Sequence, residues 1–277
     1  MRLFIFFTIL SFLVSSFLIK YLLPMLASSK YNCLNFRNKL LPAGTGLLFP
    51  VVFLITIILT TFFHGRDFSI AGMTLLVLLV LVLGLALLGL LDDLLGDKSV
   101  GGFKGHFGEL ARGNLTTGSL KAIGGGLLSF FAAAPFSTSL FTQIINTFVI
   151  ALFINTFNLL DLRPGRALKV FLILGLIVSI FLWRSVSWSI LGIFIGPAVV
   201  LLWVDLTERG MLGDVGSNVL GGVVGFISVA NFNWTANLFI LIILVIINVY
   251  SESNSISMFI ERNFILRWLD ELGRKKI

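Results

Sequence analysis

Residues 70–93 read IAGMTLLVLLVLVLGLALLGLLDD: twenty-two residues without a charge, then two adjacent carboxylates. About 20 mostly apolar residues in a helix cross the hydrocarbon core of a bilayer. The run is therefore read as a membrane span, and Asp92-Asp93 marks the point where it leaves the hydrocarbon. Eight further apolar runs lie near 3–23, 46–63, 119–133, 140–157, 167–183, 188–204, 217–230 and 235–250. Together they predict an all-α fold, a polytopic membrane helix bundle of about nine transmembrane helices. The composition agrees: 57% of the 277 residues are hydrophobic and 12% are charged, about half the charge of an ordinary soluble domain. We see no internal repeat, low-complexity linker or second domain. The chain reads as one integral membrane domain over 1–277, with a cytoplasmic tail over 251–277.

Charge sorts by side. Seventeen of the twenty Lys and Arg fall in or beside the segments 24–45, 92–118, 158–166 and 205–216 and the tail after 250. Only Arg2, Arg66 and Arg184 fall on the other side. The positive-inside rule puts the seventeen in the cytoplasm. It also explains the net charge of +7 without nucleic acid, which is not an expected partner. Only Arg2 precedes the first apolar run, while Lys20, Lys30, Arg37 and Lys39 follow it. That is the reverse of a signal peptide, so we expect an uncleaved first span with its N-terminus outside. The acidic residues follow the same split, with only Asp67 outside. Positive-inside bias does not account for this, because acidic residues contribute little to orientation. Carboxylates gathered on one face point to a site there. Cys33 is the only cysteine, so there is no internal disulfide. His64 and His106 fall on opposite sides, and a histidine zinc site is not expected.

Four constellations sit on this face. Asp92-Asp93 ends the third span. Adjacent helical residues point about 100° apart, so one carboxylate can face a site while the other takes a basic partner, with Asp97 one turn beyond. Two carboxylates at a helix C-terminus are unfavourable against the macrodipole, which favours a role over chance. Asn155, Asn158 and Asp161 end the fifth span at a spacing that keeps them on roughly one face. They suit a metal-bound phosphate or a nucleobase edge, and equally polar contacts between helices. Arg163-Pro164-Gly165-Arg166 follows, a helix break whose arginines suit either phosphate oxygens or membrane anchoring. Gly213-Asp214-Val215-Gly216-Ser217-Asn218 opens the eighth span. Ser217 or Asn218 is expected to cap that helix, leaving free N–H groups for an anion, with Asp214 placed to hold a divalent cation. The segment from Asn35 to Gly46, with Arg37, Lys39, Pro42 and Gly44, reads as a basic glycine-bearing loop, a phosphate contact or a plain connection. Between 97 and 121 lie Lys104, His106, Glu109, Arg112, Asn114 and Lys121, with no Walker motif.

The order of these motifs resembles the polyprenyl-phosphate N-acetylhexosamine-1-phosphate transferase family, which includes the phospho-N-acetylmuramoyl-pentapeptide transferases. The likeness runs from about residue 35 to 250. It implies that a polyprenyl phosphate attacks the sugar-linked phosphorus of a UDP-sugar, releasing UMP, with magnesium as cofactor and the site on the cytoplasmic face of the plasma membrane. By this resemblance Asp214 and Asn158 hold the metal, and Asp92 and Asp93 orient the lipid phosphate and position the metal site. Asp161 and Asn155 belong to the substrate site with Asn158, and Lys39 and Lys121 contact phosphate. Two departures stand out. Pro164 replaces the second acid of the family's Asp-Gly-x-Asp-Gly-Leu pattern. The histidine motif after the ninth span, and a tenth span, are replaced by the tail. From Ser257 to Leu272 that tail reads as one amphipathic interfacial helix, with Phe259, Leu266 and Leu269 opposite Arg262, Arg267 and Asp270. These departures keep a second expectation in view, a non-catalytic membrane scaffold that retains the fold. A secondary transporter is disfavoured, because no charge lies at mid-span. A homodimer stands as an open expectation.

Overall fold

The computed structural model describes residues 2–29, 31–64, 72–96, 105, 108–109, 112–182 and 185–274. The expectations for Lys30, Arg66, Asp67, Asp97, Lys98, Lys104, His106, Arg184, Lys275 and Lys276, and for the side chains of Arg2 and His64, lie outside the described residues. Among the described residues the regular structure is helical apart from one small hairpin. The long helices are α1 (Arg2–Ser28), α2 (Leu48–His64), α3 (Gly72–Leu95), α4 (Thr117–Ala133), α5 (Leu140–Leu160), α6 (Arg166–Leu182), α7 (Val186–Leu206), α8 (Gly213–Asn231) and α9 (Trp234–Ser253). Two short helices follow, α10 (Ile256–Arg262) and α11 (Phe264–Glu271). Among the described residues, eight helices are long and apolar enough to cross a membrane. The nine apolar runs coincide with α1 to α9. The one outside the eight is α6, which has 17 residues.

α8 stands at the centre and packs against α2, α3, α4, α5, α6 and α7. Every residue from Val215 to Val229 is buried. The other helices surround it, with α1 lying on α7 and α9 on α5. Aromatic contacts join the ring, as between Phe53 of α2 and Phe194 of α7 at 5.0 Å. Leu13, Phe17, Leu76, Leu127, Phe148, Leu176 and Ile246 point outward and are exposed, as a lipid-facing belt requires. Polar pairs tie α5 to α9 near both ends. Asn237 Nδ2 donates to Asn146 Oδ1 (3.1 Å). Asn155 Nδ2 donates to Asn248 Oδ1 (2.6 Å), and Asn248 Nδ2 donates to Thr156 Oγ1 (2.9 Å). Such contacts between apolar helices contribute about 0.6 kcal/mol each.

Three local expectations need correction. The basic loop before the second span is a hairpin, β1 (Asn32–Leu34) against β2 (Leu40–Pro42), with Cys33 opposite Leu41. Asn35 Oδ1 closes its turn by accepting from the Arg37 and Lys39 N–H groups (2.8 and 2.9 Å). The Met211 N–H donates to the Pro42 carbonyl, and the Thr45 and Gly46 N–H groups donate to the Met211 and Leu212 carbonyls, all within 3.1 Å. The hairpin is thus fastened to the start of α8. Second, α8 begins at Gly213, and Ser217 and Asn218 are fully buried inside it rather than capping it. Third, the tail is two helices broken at Asn263, whose Oδ1 accepts from the Ile265 and Leu266 N–H groups and so starts a new helix. Asp270, expected on the solvent side, is buried.

Candidate functional site

The lower ends of α3, α5 and α7 and the starts of α4, α6 and α8 meet at one end of the bundle. α3 runs one turn past the apolar stretch, to Leu95, so Asp92 and Asp93 lie in its last turn. Gly89 sits one turn earlier. A side chain there would press on the main chain of Asp214 and Val215 at about 2.5 Å, so its absence lets α8 start directly against α3. Asp93 then accepts from the N–H groups of Asp214 (3.1 Å) and Val215 (3.2 Å). A carboxylate misplaced at its own helix C-terminus finds the positive N-terminus of another helix. The two N–H groups expected to be open to an anion are therefore taken by Asp93. Gly213 adopts a left-handed φ of 75° at this junction, a conformation other residues resist. The Tyr31 hydroxyl faces Asp93, and burial together with that charge pushes the phenol far above its ordinary value.

Asp92 turns the other way. Its Oδ2 accepts from Lys121 Nζ at 2.8 Å, and the same ammonium pairs with Asp214. Oriented to satisfy both neighbours, the Asn158 amide donates to Asp214 Oδ1 (2.7 Å) and turns its oxygen to Lys121 Nζ (3.3 Å). Oxygens from α3, α5 and α8 thus surround a single cationic centre supplied by α4. No cluster of three or more His, Cys, Asp or Glu suited to a metal occurs among the described residues. The donors present are two carboxylates and an amide carbonyl. These are hard oxygen ligands of the kind magnesium accepts with water or phosphate completing its shell, and they already hold positive charge. In donor chemistry the residues fit that ion.

Above this floor opens a cleft of about 770 Å³, within the range of small-molecule sites. Cys33, Asn35 and Phe36 of the hairpin line one side. Asp161, Arg163 and Pro164 line another, Asp205 and Glu208 a third, and Ser255 and Ser257 of the tail a fourth. Burial, and then the charges of Asp205, Asp214 and Asp93, raise the Asp161 carboxyl well above the ordinary range. Arg163 lies over the Phe36 ring at 4.8 Å.

Of the sequence-predicted residues, Asp92, Asp93, Lys121, Asn158, Asp161 and Asp214 come together. Asn155 does not reach the cleft and serves the α5–α9 contact. Lys39 stands beside the cleft, its Nζ donating to the Glu208 carbonyl (3.2 Å). Arg37 pairs with the Glu208 carboxylate (3.0 Å). Sequence reasoning missed Asp205, whose Oδ2 accepts from the Gly165 N–H (2.6 Å) and so fixes the 161–166 turn. It also missed the pairing of Arg166 with Asp270, where Nε and Nη2 reach the two carboxylate oxygens at 2.8 and 3.0 Å. A carboxylate in an otherwise apolar helix end was a signal for Asp205. Nothing local announces the Arg166 pairing, which spans 104 residues. No family model and no curated protein matches the chain.

Proposed function

We propose that this protein transfers a sugar-1-phosphate from a nucleotide sugar, a UDP-linked amino sugar by the family resemblance, to a polyprenyl phosphate. The product is a lipid-linked precursor for a cell-wall or surface glycan. The observation that carries the reading is the convergence of Asp92, Asn158 and Asp214 from three helices on one cationic centre, under a polar cleft at the charged end of an apolar bundle. A water-soluble phosphate donor and a lipid acceptor require such a place. In this reading α6 is a ninth span, since it starts beside the end of α7 and its 17 residues rise about 25 Å. The charged end then faces the cytoplasm.

The chemistry is an exchange at phosphorus. An oxygen of the lipid phosphate forms a bond to the sugar-linked phosphorus, the bond to the bridging oxygen breaks, and the nucleoside monophosphate leaves with the electron pair. A phosphate monoester is largely ionised at neutral pH, so positioning and charge neutralisation matter more than a base. Asp214, Asn158 and Asp92 would hold magnesium, which when bound neutralises charge on the donor's diphosphate. Asp93 keeps Asp214 in place through the α8 N-terminus. Lys121 offers its ammonium to phosphate oxygens. Asp161, with Arg163 and Phe36, lines the part of the cleft suited to a nucleoside. The test is a panel of nucleotide sugars with purified protein, magnesium and polyprenyl phosphate. Release of a nucleoside monophosphate that depends on the lipid is expected. Its absence with every donor would remove the proposal and favour a non-catalytic scaffold, a reading that Pro164 and the pairing of Lys121 with both carboxylates favour.

A further inference from the structure

The tail has two faces. Leu266, Leu269 and Asp270 of α11 turn toward the protein, and Asp270 meets Arg166 and, through that guanidinium, Ser257, whose Oγ accepts from Nη1 at 2.9 Å. Lys169 Nζ donates to the Leu269 and Asp270 carbonyls (3.1 and 2.7 Å). On the second, Phe264, Ile265 and Trp268 are 83, 66 and 57% exposed, within about 100° of arc at the helical repeat. Arg267, paired with Glu271 at 3.2 Å, flanks this face, and Glu271 stands two turns beyond Phe264 and about 20° of arc from it. Large apolar side chains left open in this way mark an interaction surface.

What covers them follows from where the tail starts. α9 is apolar enough to cross a membrane, and only Asn254 and Ser255 separate it from α10. Two residues span at most about 7 Å, so the tail begins at the membrane boundary. Residues 256–277 carry five basic against three acidic side chains, and Trp and Phe beside Arg suit the headgroup region. We propose that α10 and α11 form an interfacial element seated in the bilayer surface through Phe264, Ile265 and Trp268. The buried Asp270–Arg166–Ser257 contacts carry that seating to the wall of the cleft formed by Ser255 and Ser257. The bilayer thereby holds one side of the cleft in place. The inference needs α9 to be a span and does not rest on the transferase reading.

The experiment uses full-length Phe264→Cys in a Cys33→Ser background, labelled with an environment-sensitive fluorophore. The protein is reconstituted in vesicles of phosphatidylglycerol and phosphatidylcholine. Quenching by lipids bearing a nitroxide near the headgroup, several-fold stronger than quenching by aqueous iodide, is expected. Quenching of the Phe264 probe by iodide alone places it in water and overturns the proposal. Quenching by neither means protein covers it and also overturns it. For the link to the cleft, a nitroxide at the exposed Ser255→Cys, on the same wall, should become more mobile when Phe264, Ile265 and Trp268 are all changed to Ser. Unchanged mobility after lipid contact is lost would overturn that part.

Discussion

Asp93 and Asp161 line the same cleft and meet different partners there. Asp93 has both oxygens on the main-chain N–H groups that open α8. Asp93→Ala is therefore expected to destabilise the fold by about 1–2 kcal/mol, the loss of a good helix cap, and to displace Asp214. Asp93→Asn, which keeps one acceptor, should lose less; equal stability of wild type and Asp93→Ala in a detergent melt would contradict this role. Asp161 stands instead among the carboxylates of Asp205, Asp214 and Asp93. Its carboxyl is raised by burial and by its acidic neighbours, so its charged form opposes folding. A raised carboxyl costs nothing below its unfolded value near pH 3.9 and costs more as pH rises toward its folded value. Asp161→Asn should thus raise the melting temperature at neutral pH, with the gain fading in acid, while nucleotide-dependent activity falls. A lower melting temperature at pH 7 would count against this assignment. Asp92 and Asp93 were recognisable in sequence as carboxylates in an unfavourable place, because they stand at a helix C-terminus. Their separate partners were not, because the partners arrive from α4 and α8.

At the scale of elements, the nine apolar runs were legible because hydrocarbon demands about 20 uninterrupted apolar residues, a signal that needs no tertiary knowledge. The hairpin was not. Its strands have three residues each, too few for alternation to register, and they are held by main-chain bonds to Met211 and Leu212 that leave no mark on side-chain choice. The tail was half legible. Its amphipathic character shows in the order of its residues, but the break at Asn263 and the burial of Asp270 depend on Arg166. Burial opposes the charge on Asp270, yet hydrogen bonds from Arg166 and the charges of Arg166 and Arg274 hold its carboxyl below the ordinary range. A depressed carboxyl stabilises above its unfolded value and stops doing so as pH falls through its folded value. A nitroxide at the exposed Ser255→Cys should hence stay immobile from neutral pH to about pH 4 and loosen only below it. Loosening near pH 6 would show that the pair does not hold the tail.

For the whole molecule, the seventeen basic residues that the sequence groups on one side and a polar cleft beside Arg37 and Lys121 among them make orientation testable with the chain's own chemistry. Cys33 is the sole cysteine and lines that cleft. A membrane-impermeant maleimide should label it in inverted vesicles and not in intact cells, and a bound nucleotide sugar with magnesium should slow the labelling several-fold. Labelling in intact cells would reverse the orientation. The central claim is that oxygens converging from α3, α5 and α8 serve phosphoryl exchange. The most direct measurement is exchange of labelled UMP into a UDP-amino sugar, with polyprenyl phosphate and magnesium present, for wild type and Asp214→Asn. Wild type is expected to exchange, and the folded variant to fall by at least about 100-fold, as on removal of a principal electrostatic contact. Full exchange by folded Asp214→Asn would contradict the account.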